Sequence, residues 1–100
     1  MQMKFESVPL HDAVLTAVHL LWSEKTCVIE LSAFVAPGRH AVPCRLAFHG
    51  VSDLRVPHQE PWGPSSSVNG GTENNGAFNI EMQSGDSIEV KAREFSFAAI

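Results

Sequence analysis

Apolar and polar residues alternate with a period of two along most of this chain, the spacing that sends successive side chains to opposite faces of a β-strand. Cys27, Ile29, Leu31 and Ala33 share one parity, and Val28, Glu30, Ser32 and Phe34 take the other. Val42, Cys44, Leu46 and Phe48 alternate in the same way with Pro43, Arg45, Ala47 and His49. Between the two runs, Ala36-Pro37-Gly38-Arg39-His40 carries the proline and glycine that bend a chain, so residues 27–48 predict a hairpin. A further short strand is expected over Asp53-Leu54-Arg55-Val56, with Pro57 ending it or confining it to a sheet edge.

The last third repeats the pattern. Phe78, Ile80 and Met82 alternate with Asn79, Glu81 and Gln83, then Ile88, Val90 and Ala92 with Glu89, Lys91 and Arg93, around a turn at Ser84-Gly85-Asp86. Opposed residues of an antiparallel pair share a face, which predicts Met82 opposite Ile88, Ile80 opposite Val90 and Phe78 opposite Ala92. Phe95 and Phe97 then fall on the parity of Lys91 and Arg93, so a bulge or a crossing between sheet layers is required near Arg93-Glu94. Residues 10–22 fit either a helix face (Leu10, Val14, Val18, Leu21, Trp22) or a strand (Val14, Thr16, Val18, Leu20, Trp22). β-Branched residues and the polar turn Ser23-Glu24-Lys25-Thr26 favour a strand paired with 27–34, preceded by a short helical turn around Leu10–Ala13. The expected fold class is therefore mainly β: a curled or two-layered antiparallel sheet, either a sandwich or a partly open barrel, of about six strands with at most one short helix.

At 100 residues and a mean hydropathy of -0.01, the chain predicts a single domain spanning 1–100. Its net charge of -4 has the wrong sign for nucleic-acid binding. The charge is unevenly placed: residues 1–50 balance, whereas residues 51–100 carry three basic against seven acidic residues. Alternation of these acids with apolar residues reads as a solvated sheet face more readily than as a partner surface. No membrane span or basic-then-apolar leader is evident, which predicts a cytoplasmic protein. Cys27 and Cys44 fall on core faces and are expected to be small buried hydrophobes and not nucleophiles.

The segment from Pro57 to Gly76 stands apart, with Pro57, Pro61 and Pro64, four glycines, three consecutive serines and three asparagines. Long connections of this kind are usually functional or mobile. Trp62, held between Pro61 and Gly63-Pro64, is either an anchor for a ligand or partner, helped by Ser65, Ser66 and Ser67, or a plug at one end of the sheet with Ser66–Asn69 as a short strand. The plug is the favoured reading, since a tryptophan in a small β-domain is more often core than contact. Asn69–Gly76 is expected to be mobile.

Catalytic and metal motifs are sparse. His11, His19, His40, His49 and His58 form no H-x-H, H-E-x-x-H or zinc-ribbon spacing, so no metal or cofactor is implied. His11 beside Asp12 is the best seed for an acid–base pair, since a carboxylate orients an imidazole, although neighbours on a strand point apart and the pair needs a turn. Gly50-Val51-Ser52-Asp53-Leu54 lacks the second glycine of a nucleophile elbow, and Gly70-Gly71 is followed by no phosphate-loop lysine.

Taken together, His11-Asp12-Ala13, Pro61-Trp62-Gly63-Pro64-Ser65 with Ser67 and Asn69, and Ile80-Glu81-Met82-Gln83-Ser84-Gly85-Asp86 resemble a family of small bacterial β-proteins. More distantly, size and strand pattern are similar to immunity-type proteins of bacterial toxin systems. The resemblance implies no catalytic residues. The expected function is a non-catalytic protein-interaction module, which the resemblance implies to be immunity-like, with Trp62, Ser65, Ser67, Asn69, His11 and Asp12 as the binding residues. The alternative is a small-ligand-binding protein or enzyme with a pocket around His11, Asp12 and Trp62. The apolar segment 95–100 is expected to support a homodimer by covering a sheet edge.

Overall fold

In a computed structural model, which describes residues 3–100, the period-two segments form eight strands: β1 (Val14–Leu21), β2 (Thr26–Ala33), β3 (Val42–His49), β4 (Asp53–Arg55), β5 (Val68–Asn74), β6 (Ala77–Met82), β7 (Ser87–Lys91) and β8 (Glu94–Ala99). They make two antiparallel four-stranded sheets, ordered β1-β2-β3-β8 and β4-β7-β6-β5, which are not closed into a barrel. A one-turn 3-10 helix, Phe5–Ser7, is the sole helix among the described residues, and residues 10–13 make a turn closed by Ala13 N–H donating to the Leu10 carbonyl (2.9 Å). No helix there is long and apolar enough to cross a membrane.

The predicted hairpin over 27–48 forms, with Ala33 opposite Val42 and Thr26 opposite His49. Residues 14–21 are strand, pairing with β2. A bulge between Leu15 and Ala17 shifts the phase, so the side chains packed on the core are Leu15 and Val18, not the unbroken series Val14, Thr16, Val18. The phase change near Arg93-Glu94 is a crossing between layers: β7 lies in one sheet and β8 in the other. A second crossing, Gly50–Ser52, lies against it, with Arg93 N–H donating to the His49 carbonyl (2.9 Å) and Ser52 N–H to the Lys91 carbonyl (2.8 Å).

Three expectations are corrected. The β6–β7 pairing is Ile80 opposite Ile88 and Phe78 opposite Val90, two residues from the expected register. A slip of two keeps every side chain on its face, so alternation alone does not detect it. The loop chemistry decides instead: Gly85 takes a φ of 93°, and Met82 and Asp86 close a three-residue loop, Met82 N–H donating to the Asp86 carbonyl (2.8 Å). Eight strands form where about six were expected. Asn69–Gly76, expected to be mobile, lies almost wholly in β5, paired along its length with β6 through an Asn75-Gly76 turn in which both residues have positive φ. Asn-Gly is the residue pair that a two-residue hairpin loop demands.

The core lies between the sheets and is lined by Cys27, Ile29, Leu31, Cys44, Leu46 and Phe48 from one and Val68, Phe78, Ile80, Ile88 and Val90 from the other. Burial pushes the Cys27 thiol up to about 11 and raises that of Cys44, so neither is a ready nucleophile at neutral pH. The two lateral openings of the sandwich are treated differently. On the β5–β8 side, Phe5 is fully buried with ring centroids 5.0 Å from Phe78, 5.2 Å from Phe95 and 5.9 Å from Phe48. Among the described residues, the β1–β4 side has no such insert.

Candidate functional site

The expected binding residues gather around the three-residue loop Gln83–Gly85 and divide between its two sides. On one side, Asp12 sits in a left-handed conformation (φ 62°), which turns the chain so that His11 and Asp12 approach each other: His11 Nε2 lies 3.5 Å from Asp12 Oδ2. His11 Nδ1 is 3.0 Å from the Asn69 carbonyl, and Gln83 Nε2 donates to Asp12 Oδ1 at 2.8 Å. The main chain stitches the same corner, with Asp12 N–H on the Val68 carbonyl (2.8 Å), Val68 N–H on the Ala13 carbonyl (2.8 Å) and Gln83 N–H on the Ser67 carbonyl (2.9 Å). The turn required for the His11–Asp12 pair is therefore present. Its work is visible: it ties the start of β1 to the start of β5. Both side chains are largely exposed, so their interaction is solvent-screened.

On the other side lies Trp62. Its indole is 78% exposed, which corrects the expectation of a buried plug. The ring rests on Gly85: a Cβ added there would come within 2.8 Å of Trp62 and 2.9 Å of Pro61. Trp62 N–H donates to the Ser84 carbonyl (2.9 Å), and the chain before it is clamped by Asp86. That carboxylate is nearly buried; its two oxygens accept the Gln59 and Glu60 amides at 2.9 Å each, and Ser84 Oγ donates to it at 2.8 Å. The Gln59 amide, with Ser84, Glu60 and the charge of His58, holds the Asp86 carboxyl below its ordinary range against the opposing effect of burial. Ser65 donates its N–H to Glu60 Oε2 (3.3 Å) and accepts that of Ser67 on its hydroxyl (3.1 Å), so both serines serve the loop itself. Alternation of polar and apolar positions carries no signal for this clamp, although Ser84-Gly85-Asp86 reads as turn chemistry.

A groove of about 210 Å³ beside this loop is lined by Leu15, Thr16, Val56, Pro57, His58, Ser65, Ser66, Met82, Ser84, Asp86 and Ile88, and by none of His11, Asp12 and Trp62. Among the described residues no group of three His, Cys, Asp or Glu side chains is placed to hold a metal ion.

The groove continues a feature that the sequence did not announce. Between β1 and β4 a second hollow, of about 450 Å³, is lined by Leu20, Trp22, Lys25, Val51, Ser52, Asp53 and Leu54. Leu20 is opposite Cys27 and Leu54 opposite Val90, both core positions, so these side chains point into the interlayer space. Leu54 packs against the core, whereas Leu20 remains 42% exposed, and Val56 and Trp22 on the same side are 45% and 83% exposed. The β1–β4 side is thus a slot with apolar walls at Leu20, Trp22, Val51 and Leu54 and with Lys25, Ser52 and Asp53 among its lining, bounded by one edge strand from each sheet. Among the described residues, the outer edge of β1 is engaged only at its start, where Leu15 N–H donates to the Ser66 carbonyl (2.9 Å) and Val14 bridges Ser67.

Comparison with known proteins adds no relative: no protein-family model, curated protein or solved structure matches this chain.

Asp86 and one other carboxylate give the fold a defined acid response. Glu6 Oε2 accepts the Glu73 amide at 2.8 Å, tying the Phe5 turn to β5, and that bond lowers the Glu6 pKa. A carboxylate whose pKa is lower folded than unfolded contributes stability that is complete above the unfolded value and is lost as pH falls through the folded one. The unfolding midpoint is therefore expected to be insensitive to Glu6 and Asp86 above about pH 5 and to fall because of them below about pH 4. Thermal melts of wild type and of the Glu6→Gln, Asp86→Asn double variant between pH 3 and 7 check this: the variant should be destabilised at neutral pH and approach wild type in acid. Parallel curves across the range would remove both carboxylates from the account.

Proposed function

We propose that this protein is a non-catalytic interaction module, and that its binding surface is the open β1–β4 side of the sandwich. The observation that carries the reading is the unequal treatment of the two open sides. Where β5 faces β8, the chain supplies its own aromatic insert, Phe5, and the hollow of about 420 Å³ left beside it carries the charges of Glu73, Arg93 and Glu94; where β1 faces β4, inward-directed Leu20 is left half in solvent with exposed Trp22 and Val56 on the same side. Large exposed apolar surface bounded by polar residues marks a binding site more often than chance. An edge strand beside an apolar slot suits an extended partner segment, whose main chain pairs with β1 while alternate side chains enter the slot.

This moves the expected surface from the Trp62 loop to the neighbouring edge, and leaves Trp62, His11 and Asp12 at one end of it. Selection from a library of extended peptides on immobilised protein tests the reading. Enriched peptides should lose binding on Leu20→Lys, quench or shift Trp22 fluorescence, and tolerate Trp62→Ala. Peptides that bind Leu20→Lys as well as wild type but fail on Trp62→Ala would return the site to the Pro61–Pro64 loop. An immunity-like role, with a toxin domain as partner, is one form that such a module takes.

A further inference from the structure

We infer that the segment occupying the β1–β4 side is a second copy of this chain, joined edge to edge through β1. The inference rests on the reading above and names the partner. Exposed sheet edges in natural proteins are guarded by charges, proline, bulges or brevity, because an unguarded edge pairs with other chains. β1 is eight residues long and contains no proline; its one bulge lies at its start, where Ser66 and Ser67 already cover the edge. From Thr16 to Leu21 the edge is unguarded. Among the eight strands, β1 alone contains no Asp, Glu, Lys or Arg.

That absence identifies the occupant. When an antiparallel strand pairs with its own twin about a twofold axis, residues near the axis meet their identical counterparts, and a charge there meets its like at a cost. A strand read by a different partner has no need to be neutral and gains by keeping a charge that complements the partner. Self-pairing is therefore the case that requires an uncharged strand. The titratable side chain on β1 is His19, which lies on the outer face and is already engaged by Glu30 of its own sheet at 2.7 Å. Across the slot, the charges of β4 are matched within the chain: Asp53 lies opposite Lys91, and Arg55 pairs with Glu89 at 3.3 Å. The excess negative charge of the protein belongs to residues 51–100 and so lies off the strand being joined.

Edge-to-edge pairing of β1 makes one eight-stranded sheet from two copies and brings their two open slots together. Leu20, Trp22 and Val56 of each copy then face the interlayer space of the other, and each sandwich closes its twin. The alternative edge at 95–100 is less suited. Phe95 and Phe97 turn toward the core, Phe95 is packed on Phe5, and Glu94 at the head of β8 brings a charge to the joint.

Light scattering after size exclusion, with sedimentation equilibrium, tests this on the full chain. Wild type should have twice its 10.9 kDa mass at about 100 μM or lower, the concentration range of a dimer with micromolar affinity. Leu20→Lys, at a position already 42% exposed, should remain folded by circular dichroism and become monomeric, whereas Ala98→Lys on β8 should remain dimeric. In a second measurement, His19→Cys should form an intersubunit disulfide under mild oxidation, because residues 18 and 19 lie at the middle of the free edge. A dimer that survives Leu20→Lys and dissociates with Ala98→Lys overturns the inference and restores the 95–100 edge. A monomeric wild type whose peptide binding still depends on Leu20 overturns the second copy as occupant and leaves the module reading standing; a monomer with no such peptide binding overturns both.

Discussion

Replacing Phe5 by alanine should cost about 3–5 kcal/mol, the range for deleting a fully buried phenylalanine. Phe5 is 0% exposed and touches three other rings, two of them edge-on, so its removal forfeits hydrophobic transfer, aromatic geometry and packing at once. Domains of this size are stable by about 5–15 kcal/mol in total, which makes the loss a large fraction of the whole. At about 4–8 °C per kcal/mol, the thermal midpoint should fall by more than about 10 °C. Calorimetry measures it, and deleting residues 1–8 should cost at least as much. A midpoint within about 4 °C of wild type, a shift worth no more than about 1 kcal/mol, would mean that the N-terminal turn is not part of the cooperative fold.

Gly71→Val is expected to be the next most damaging change, by about 1–3 kcal/mol, and for the opposite reason. Gly71 stands opposite Ile80 on the inner face of β5, and a Cβ there would lie 2.7 Å from the Phe5 ring and 2.8 Å from Leu10. The glycine makes the hollow that Phe5 fills. Gly70, its neighbour, points the other way with nothing within 4 Å, so Gly70→Val should change stability by no more than about 0.5 kcal/mol in urea titration. Since Phe5 and Gly71 share one volume, Gly71→Val should cost much less in a Phe5→Ala background than alone. Equal costs in both backgrounds would show that the strain lies elsewhere.

These two positions also show what a sequence does and does not disclose. Strands with one buried face were legible because alternation is a direct readout of two environments; β2, β3, β6 and β7 follow from it, as does the crossing after Arg93. Phe5 was not, because a single aromatic between Lys4 and Glu6 belongs to no period. β5 was hidden for a related cause: its inner face uses Gly71, so the residue that should have marked the core was absent by necessity. Asn75-Gly76 was the available signal, being a hairpin turn in its own right. At the site, the meeting of His11, Asp12, Ser67 and Asn69 around Gln83 was partly anticipated, since the pair was seen to need a turn. Trp62 was misplaced because frequency argues for burial, while its flanking prolines and Gly85 hold it against the surface. The openness of the β1–β4 side depends on which strands end as edges, and topology of that kind is not written in any local pattern.

The four rings of the aromatic cluster come from residues 5, 48, 78 and 95, positions that span nearly the whole chain. No early fragment of a growing polypeptide can assemble them. A ribosome must carry synthesis through Phe95 before Phe5, made first, acquires its last neighbour, and until then the earliest aromatic waits in the company of solvent or a chaperone. Contacts so distant along the chain also make closure slow, since loop entropy is spent before burial returns it. A chain that ends before residue 94 lacks β8 and the Phe95 ring, and should therefore show no cooperative melt.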